Sequence, residues 1–231
     1  MFHRIAIMSK DGDWILEESE RACRRVLKVL EGHRAHYRLG APLDPRWLSG
    51  GWSSHFEFFD AESRRIRCDF VSHPPRLSAE ERLAALANSR GEGGLRVIDV
   101  EALIALKRTQ RIKDYAVITE LARLLPEDRE LELSFDPERI LELAPKHGAS
   151  TQREAARLAF AGAGREAVVV ALAREADHLQ MADRVRLEAY SRAGQRYAEE
   201  FQRSGIGALP LPEAHARLVE LAQLTLPKSV S

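Results

Sequence analysis

Hydrophobic and polar positions change period near the middle of this chain. Up to about Leu125, short alternating runs trade places with helix-period segments; beyond it, the spacing is helical throughout. Arg4 to Met8 alternate as a short strand, which Trp14-Ile15-Leu16 continues. A helix follows, with Glu17, Glu18 and Glu20 in its first turns and Cys23, Val26, Leu27 and Leu30 at helical spacing until Gly32 ends it. His55 to Phe59 and Arg65 to Val71 flank Asp60-Ala61-Glu62-Ser63, which predicts a β-hairpin with a polar turn. A symmetric turn sets His55 opposite Asp69 and puts Glu57 on the same face as His55.

Pro74-Pro75 closes the hairpin, Ser78 caps a helix over Ala79 to Asn88, and Gly91 to Gly94 leads into a short strand, Leu95 to Ile98. Asp99 caps an apolar helix carrying Leu103, Ile104 and Leu106. Asp136-Pro137 and Thr151 each start a helix, a long helical pattern runs from about Arg165 to Arg203, and an amphipathic helix covers Glu213 to Leu224. The fold class predicted is α+β: a small mixed sheet with flanking helices over residues 1–125, then a helical region over 126–231, divided near Pro126. Val168, Leu172, Leu179, Val185 and Leu187 form a core stripe on the long helix, with a homodimer face through the C-terminal helices as the functional alternative.

A chain of 231 residues is long enough for a real core, and 35 basic against 35 acidic residues leave no global field to attract nucleic acid or membrane. Arg21, Arg24, Arg25, Lys28, Arg34 and Arg38 crowd one stretch, which reads first as a solvated helix face and second as a phosphate or nucleic-acid surface. No apolar run approaches the roughly 18 residues of a membrane span and no signal-peptide core follows Met1, so a cytoplasmic protein is expected. Cys23 and Cys68 lack the spacing of a disulfide framework or a zinc site and read as buried small hydrophobes. There is no P-loop, dinucleotide fingerprint or Gly-x-Ser-x-Gly.

Two carboxylates one residue apart, Asp11 and Asp13, share one face of a strand, and a neighbouring strand carrying Asp69 would complete a cluster of hard oxygen ligands suited to Mg²⁺. Asp-Gly-Asp by itself is more often turn chemistry. His55, Glu57 and Asp69 offer a mixed-ligand or acid/base group, although a hydrogen-bonded strand histidine beside a carboxylate is the simpler reading.

The segment Asp99-Val100-Glu101-Ala102-Leu103-Ile104-Ala105-Leu106-Lys107-Arg108-Thr109-Gln110-Arg111-Ile112-Lys113-Asp114-Tyr115, with the match continuing through Ile118 and Leu121, resembles the tail of nucleotidyltransferases related to DNA polymerase beta. That superfamily includes the bacterial minimal nucleotidyltransferases of toxin–antitoxin systems. Together with Ser9 to Leu16 and the Asp69 strand, the resemblance covers most of residues 9–125. It implies Asp11, Asp13 and Asp69 as catalytic Mg²⁺ ligands, and Lys107, Arg111 and Lys113 as cations offsetting phosphate charge. It also implies transfer of a nucleoside monophosphate from a nucleoside triphosphate to a hydroxyl on an RNA, protein or small-molecule acceptor. For Lys107 to Asp114 the simpler reading is a helix-end network in which Asp114 pairs with Arg111 or Lys113.

The family places a Gly-Gly or Gly-Ser turn before the aspartates, where backbone N–H groups hold the triphosphate. Met1 to Lys10 contain no glycine, so that cradle is expected upstream of the recorded start or to have been lost. Gly12, where the family has an apolar residue, weakens the strand. Gly50-Gly51 followed by Asp60 and Glu62 imitates the signature, but Trp52 to Phe59 is strand-like and leaves no room for the helix between. Two functions follow: an active Mg²⁺-dependent nucleotidyltransferase, or a catalytically inactive binding or regulatory module of that fold, such as a toxin–antitoxin component.

Overall fold

The computed structural model describes residues 11–91 and 96–230, with Asp11 described in its backbone only. The strand expected over Arg4 to Met8 and the residue Leu95 lie outside the described residues. The chain runs β1 (Asp11–Ile15), α1 (Glu20–Gly32), β2 (His36–Tyr37), α2 (Pro45–Leu48), β3 (Ser54–Phe59) and β4 (Arg65–Val71). Helices follow: α3 (Ala79–Asn88), α4 (Val100–Lys107), α5 (Lys113–Ala122), α6 (Glu127–Leu133), α7 (Pro137–His147), α8 (Glu154–Phe160), α9 (Arg165–Ala193), α10 (Gln195–Ser204) and α11 (Leu211–Thr225). The protein is α+β, with a four-stranded mixed sheet ordered β1-β4-β3-β2. β4 pairs parallel with β1 and antiparallel with β3, which pairs antiparallel with β2.

The described chain forms two compact units, residues 76–187 and residues 11–75 with 188–230. In the sheet unit, alternation gives the strands one apolar face. Phe56 stacks near Tyr37 and Phe70, with ring centroids 4.4 and 5.7 Å away. Beneath these rings α1 contributes Cys23 and Leu30, α2 contributes Trp47 and Leu48, and α11 contributes Ala214, Leu218 and Ala222. Burial at this density removes apolar surface from water at about 25 cal/mol per Å², which is what ties residues near the C-terminus to a sheet formed early in the chain. The Trp47 indole N–H, donating to the Leu226 carbonyl, fixes that return.

Gly50 and Gly51 are explained by this packing. A Cβ on Gly50 would fall on the carbonyl oxygen of Lys228, and Gly51 has φ +85° with the Tyr190 hydroxyl where its Cβ would be. They serve a close backbone approach, and Asp60, whose carboxylate accepts from the N–H groups of Glu62 and Arg64, caps the hairpin turn as expected.

The 76–187 unit is helical. Ser78 and Glu81 form a reciprocal capping box on α3, Asp99 accepts from Ala102 N–H at the start of α4, and Asp136 accepts from Glu138 N–H ahead of Pro137. One cluster packs Ile140, Leu143 and Ala144 of α7 with Ala155, Ala156, Val168 and Leu172, and another packs Ile104, Tyr115, Ile118 and Leu121. Pro126 is the N-cap of α6 within this unit.

Five expectations need correction. Val97 forms only a single bridge to Arg90, so no strand is built there among the described residues. The helix expected at Thr151 begins at Glu154, with the Thr151 hydroxyl instead accepting from Arg153 N–H. The long helical pattern breaks at Gly194, where the Trp52 ring lies 3.2 Å from the position of a Cβ and leaves no room for a side chain. Of the predicted core stripe, Val168 and Leu172 are buried, but Val185 and Leu187 are 54% and 37% exposed. Cys23 is buried as expected, with burial pushing its thiol up to about 11, whereas Cys68 is half-buried; both are free thiols.

Candidate functional site

The odd-numbered positions of the sheet carry the chemistry. Asp13 is the register partner of Asp69 across the parallel β1–β4 pair, and His55 is the register partner of Asp69 across the hairpin. One step along, Arg67, Glu57 and His36 form the next row, with the backbone of Asp11 in register beside Arg67. Register partners on neighbouring strands, roughly 4.8 Å apart, point their side chains to the same side. The face opposite the apolar core is therefore a band of carboxylates, imidazoles and guanidiniums.

Nδ1 of His55 lies 2.7 Å from Oδ1 of Asp69, and Nε2 of His55 is 2.8 Å from the Ser53 hydroxyl. Oδ1 of Asp69 is shut off from solvent and accepts no hydrogen bond from the described residues, so the strand register is what sets His55 beside it. The Arg38 guanidinium stands 3.7 Å from the same Oδ1 and 4.0 Å from Glu57. Arg67 reaches Glu57 at 4.0 Å. His55 is thus a hydrogen-bonded strand histidine beside a carboxylate, with Ser53 at Nε2 and Asp69 next to Nδ1.

Ser53, Arg38 and Arg67 are members of this site that no sequence motif marks. Arg38 was grouped with the basic run of α1, whose Arg21, Arg24, Arg25 and Lys28 are indeed solvated. Its different fate follows from position: it lies just beyond β2, where its N–H donates to the carbonyl of His55.

Asp13 and Asp69 fit a divalent cation. Both are hard oxygen donors on adjacent strands, and with Oδ1 of Asp69 engaged by His55 and Arg38, Oδ2 is the oxygen left to ligate. Among the described residues no three His, Cys, Asp or Glu side chains converge on one point. The backbone of Asp11 stands two residues before Asp13, in register with Arg67, and its side chain lies outside what is described.

Lys107, Arg111 and Lys113 belong to the 76–187 unit. Lys107 ends α4, Lys113 begins α5, and Arg111 lies between them. Arg111 is half-exposed and spans to the buried Asp114 at 2.9 Å, while Asp114 also accepts from the Thr109 hydroxyl. Of the two partners foreseen for Asp114, Arg111 is the one it takes.

Comparison of the chain with protein-family models, with curated proteins and with solved structures gave no match. No helix among the described residues is long and apolar enough to cross a membrane.

Proposed function

We propose that this protein is a nucleotidyltransferase-like enzyme that moves a nucleoside monophosphate from a nucleoside triphosphate to a hydroxyl acceptor. The observation that carries this reading is the register pairing of Asp13 with Asp69 on adjacent strands, with Asp11 one alternation before Asp13. In this reading Asp11, Asp13 and Asp69 hold Mg²⁺, which when bound offsets the charge of the phosphates and of the attacking and leaving oxygens. His55 and Arg38 hold the Asp69 carboxylate at Oδ1 and leave Oδ2 for the ion. Lys107, Arg111 and Lys113 are proposed as phosphate-offsetting cations of the 76–187 unit by themselves, with Arg111 already paired to Asp114. The acceptor is an RNA, protein or small-molecule hydroxyl.

One observation favours a second reading, an inactive binding or regulatory module of the same fold: Oδ1 of Asp69 is already engaged by His55 and Arg38, as in a structural ion pair. Calorimetric titration of each of the four nucleoside triphosphates with Mg²⁺ separates them. The enzyme reading expects a saturable binding component that requires Mg²⁺ and that Asp11→Asn/Asp13→Asn abolishes; a Mg²⁺-requiring component that survives in the double variant, or is absent from the native chain, removes it.

A further inference from the structure

The 76–187 unit contains a second concentration of charge that the sheet site does not use. A cavity of about 340 Å³ is lined by Arg76, Arg108, Leu179, Ala182, Asp183 and Arg186. Its size is at the lower end of small-molecule sites, roughly 300–1,000 Å³. Three guanidiniums face one carboxylate, and that carboxylate is fully committed. Asp183 is 4% exposed, accepts from Arg76 and from Arg186 at 3.1 Å on Oδ1, and accepts from Gln110 N–H at 3.0 Å on Oδ2.

Arg108 is different. Among the described residues it forms no ion pair, and its Nε is buried without a protein acceptor, as is Nε of Arg76. Buried N–H donors of a charged group cost free energy until an acceptor meets them, and natural structures retain few such groups. Burial pulls the Arg76 and Arg108 guanidiniums below the usual arginine range, and for Arg76 the nearby Arg186 and Arg111 add to this. Glu175 and Glu81 act on Arg108 from outside the cavity lining, and Arg153, itself paired with Glu175, opposes them. The site holds its cations against both desolvation and mutual repulsion.

We infer that this cavity binds the polyphosphate group of a small molecule, with Arg108 as its principal recognition residue. The planar fork of a guanidinium matches two phosphate oxygens at once, which is why arginine serves this role better than lysine. The excess of two positive charges over the single committed carboxylate calls for at least a dianion, and the volume exceeds what one phosphate group needs. Asp183 positions Arg76 and Arg186 and so sets the spacing of the two flanking donors. This inference does not depend on the sheet carboxylates.

The test is calorimetry on the full chain with EDTA present, so that no divalent cation contributes. Inorganic pyrophosphate, inorganic triphosphate, a nucleoside triphosphate and sulfate are titrated in turn, against the native chain, Arg108→Gln, Arg108→Lys and Asp13→Asn. The expected result is saturable binding of pyrophosphate and triphosphate above sulfate, weakened at least tenfold by Arg108→Gln, partly restored by Arg108→Lys and unchanged by Asp13→Asn. Equal affinity for the nucleoside triphosphate and inorganic triphosphate would identify the polyphosphate alone as the ligand; tighter nucleotide binding would add a base subsite. Arg108→Gln strands no buried carboxylate, and an unchanged thermal midpoint without ligand certifies its fold. Absence of saturable pyrophosphate and triphosphate binding by the native chain, binding equal to that of sulfate, or binding lost with Asp13 but not with Arg108, overturns the inference.

Discussion

Asp13 and Asp69 are register partners on neighbouring parallel strands, and His55 holds the same register on the far side of Asp69. A single row of the sheet therefore runs carboxylate, carboxylate, imidazole. Asp13 is exposed, so its replacement removes charge without opening the core. Asp13→Asn is expected to change unfolding free energy by no more than about 0.5 kcal/mol, within the usual range for surface substitutions, while removing Mg²⁺-dependent nucleotide binding. Urea denaturation beside calorimetry checks both halves; a large loss of stability would make Asp13 a structural residue.

A buried two-pronged ion pair in the helical unit joins α6 to α7. Both oxygens of Glu130, which is 2% exposed, accept from Arg139, at 2.8 and 2.6 Å. Donating to the Glu130 and Glu142 carboxylates pushes the Arg139 guanidinium well above the usual arginine range. Arg139→Met leaves a buried carboxylate unpaired and is expected to destabilise the protein by about 3 kcal/mol, the lower end for breaking a buried pair. A shift in the urea midpoint measures it, and a neutral result would mean that Glu130 finds water or another donor.

Two helix starts rest on single side chains. Ser78→Ala removes the box with Glu81, and Asp99→Ala removes the cap at Ala102 N–H. Each is expected to cost about 1 kcal/mol, and Asp99→Asn, which keeps an acceptor, is expected to cost less. Thermal unfolding of the three variants ranks them; an Asp99→Asn loss equal to that of Asp99→Ala would show that the charge at the helix start matters more than the hydrogen bond.

His215 gives the sheet unit a pH dependence. Burial lowers its pKa below 6.5, and the Tyr37 hydroxyl, 2.8 Å from Nδ1, donates to the neutral ring while accepting from Leu43 N–H. The unfolded chain then binds more protons than the folded one between the lowered pKa and 6.5. Stability is complete above 6.5 and falls as pH drops through that window. His215→Gln is expected to flatten the pH dependence of the urea midpoint between pH 7.5 and 5. An unchanged slope would assign the dependence to other groups.

Local rules carried much of the architecture. The hairpin and its His55–Asp69 register followed from alternation and a symmetric turn, and both were found, with the five residues Asp60 to Arg64 lying between Phe59 and its partner Arg65. Ser78, Asp99 and Asp136 capped the helices they were expected to cap, because a cap is made within three residues of chain. Val185 and Leu187 had the right spacing for a core stripe and are exposed, since period gives a face but not what covers it. Gly50-Gly51 mimicked a phosphate turn, and its cause, the backbone of Lys228, lies far along the chain.

The sequence by itself determined the elements whose cause is local: the strand alternation, the polar hairpin turn, the capped helix starts and the free cysteines. Tertiary structure alone decided that β1 lies parallel beside β4 and so sets Asp13 against Asp69, that residues 188–230 complete the core begun by residues 11–75, and that Arg76, Arg108 and Arg186 converge around Asp183. Parallel pairing and core closure are long-range events, chosen by the total apolar area that the assembled elements bury, and no window of sequence contains both partners.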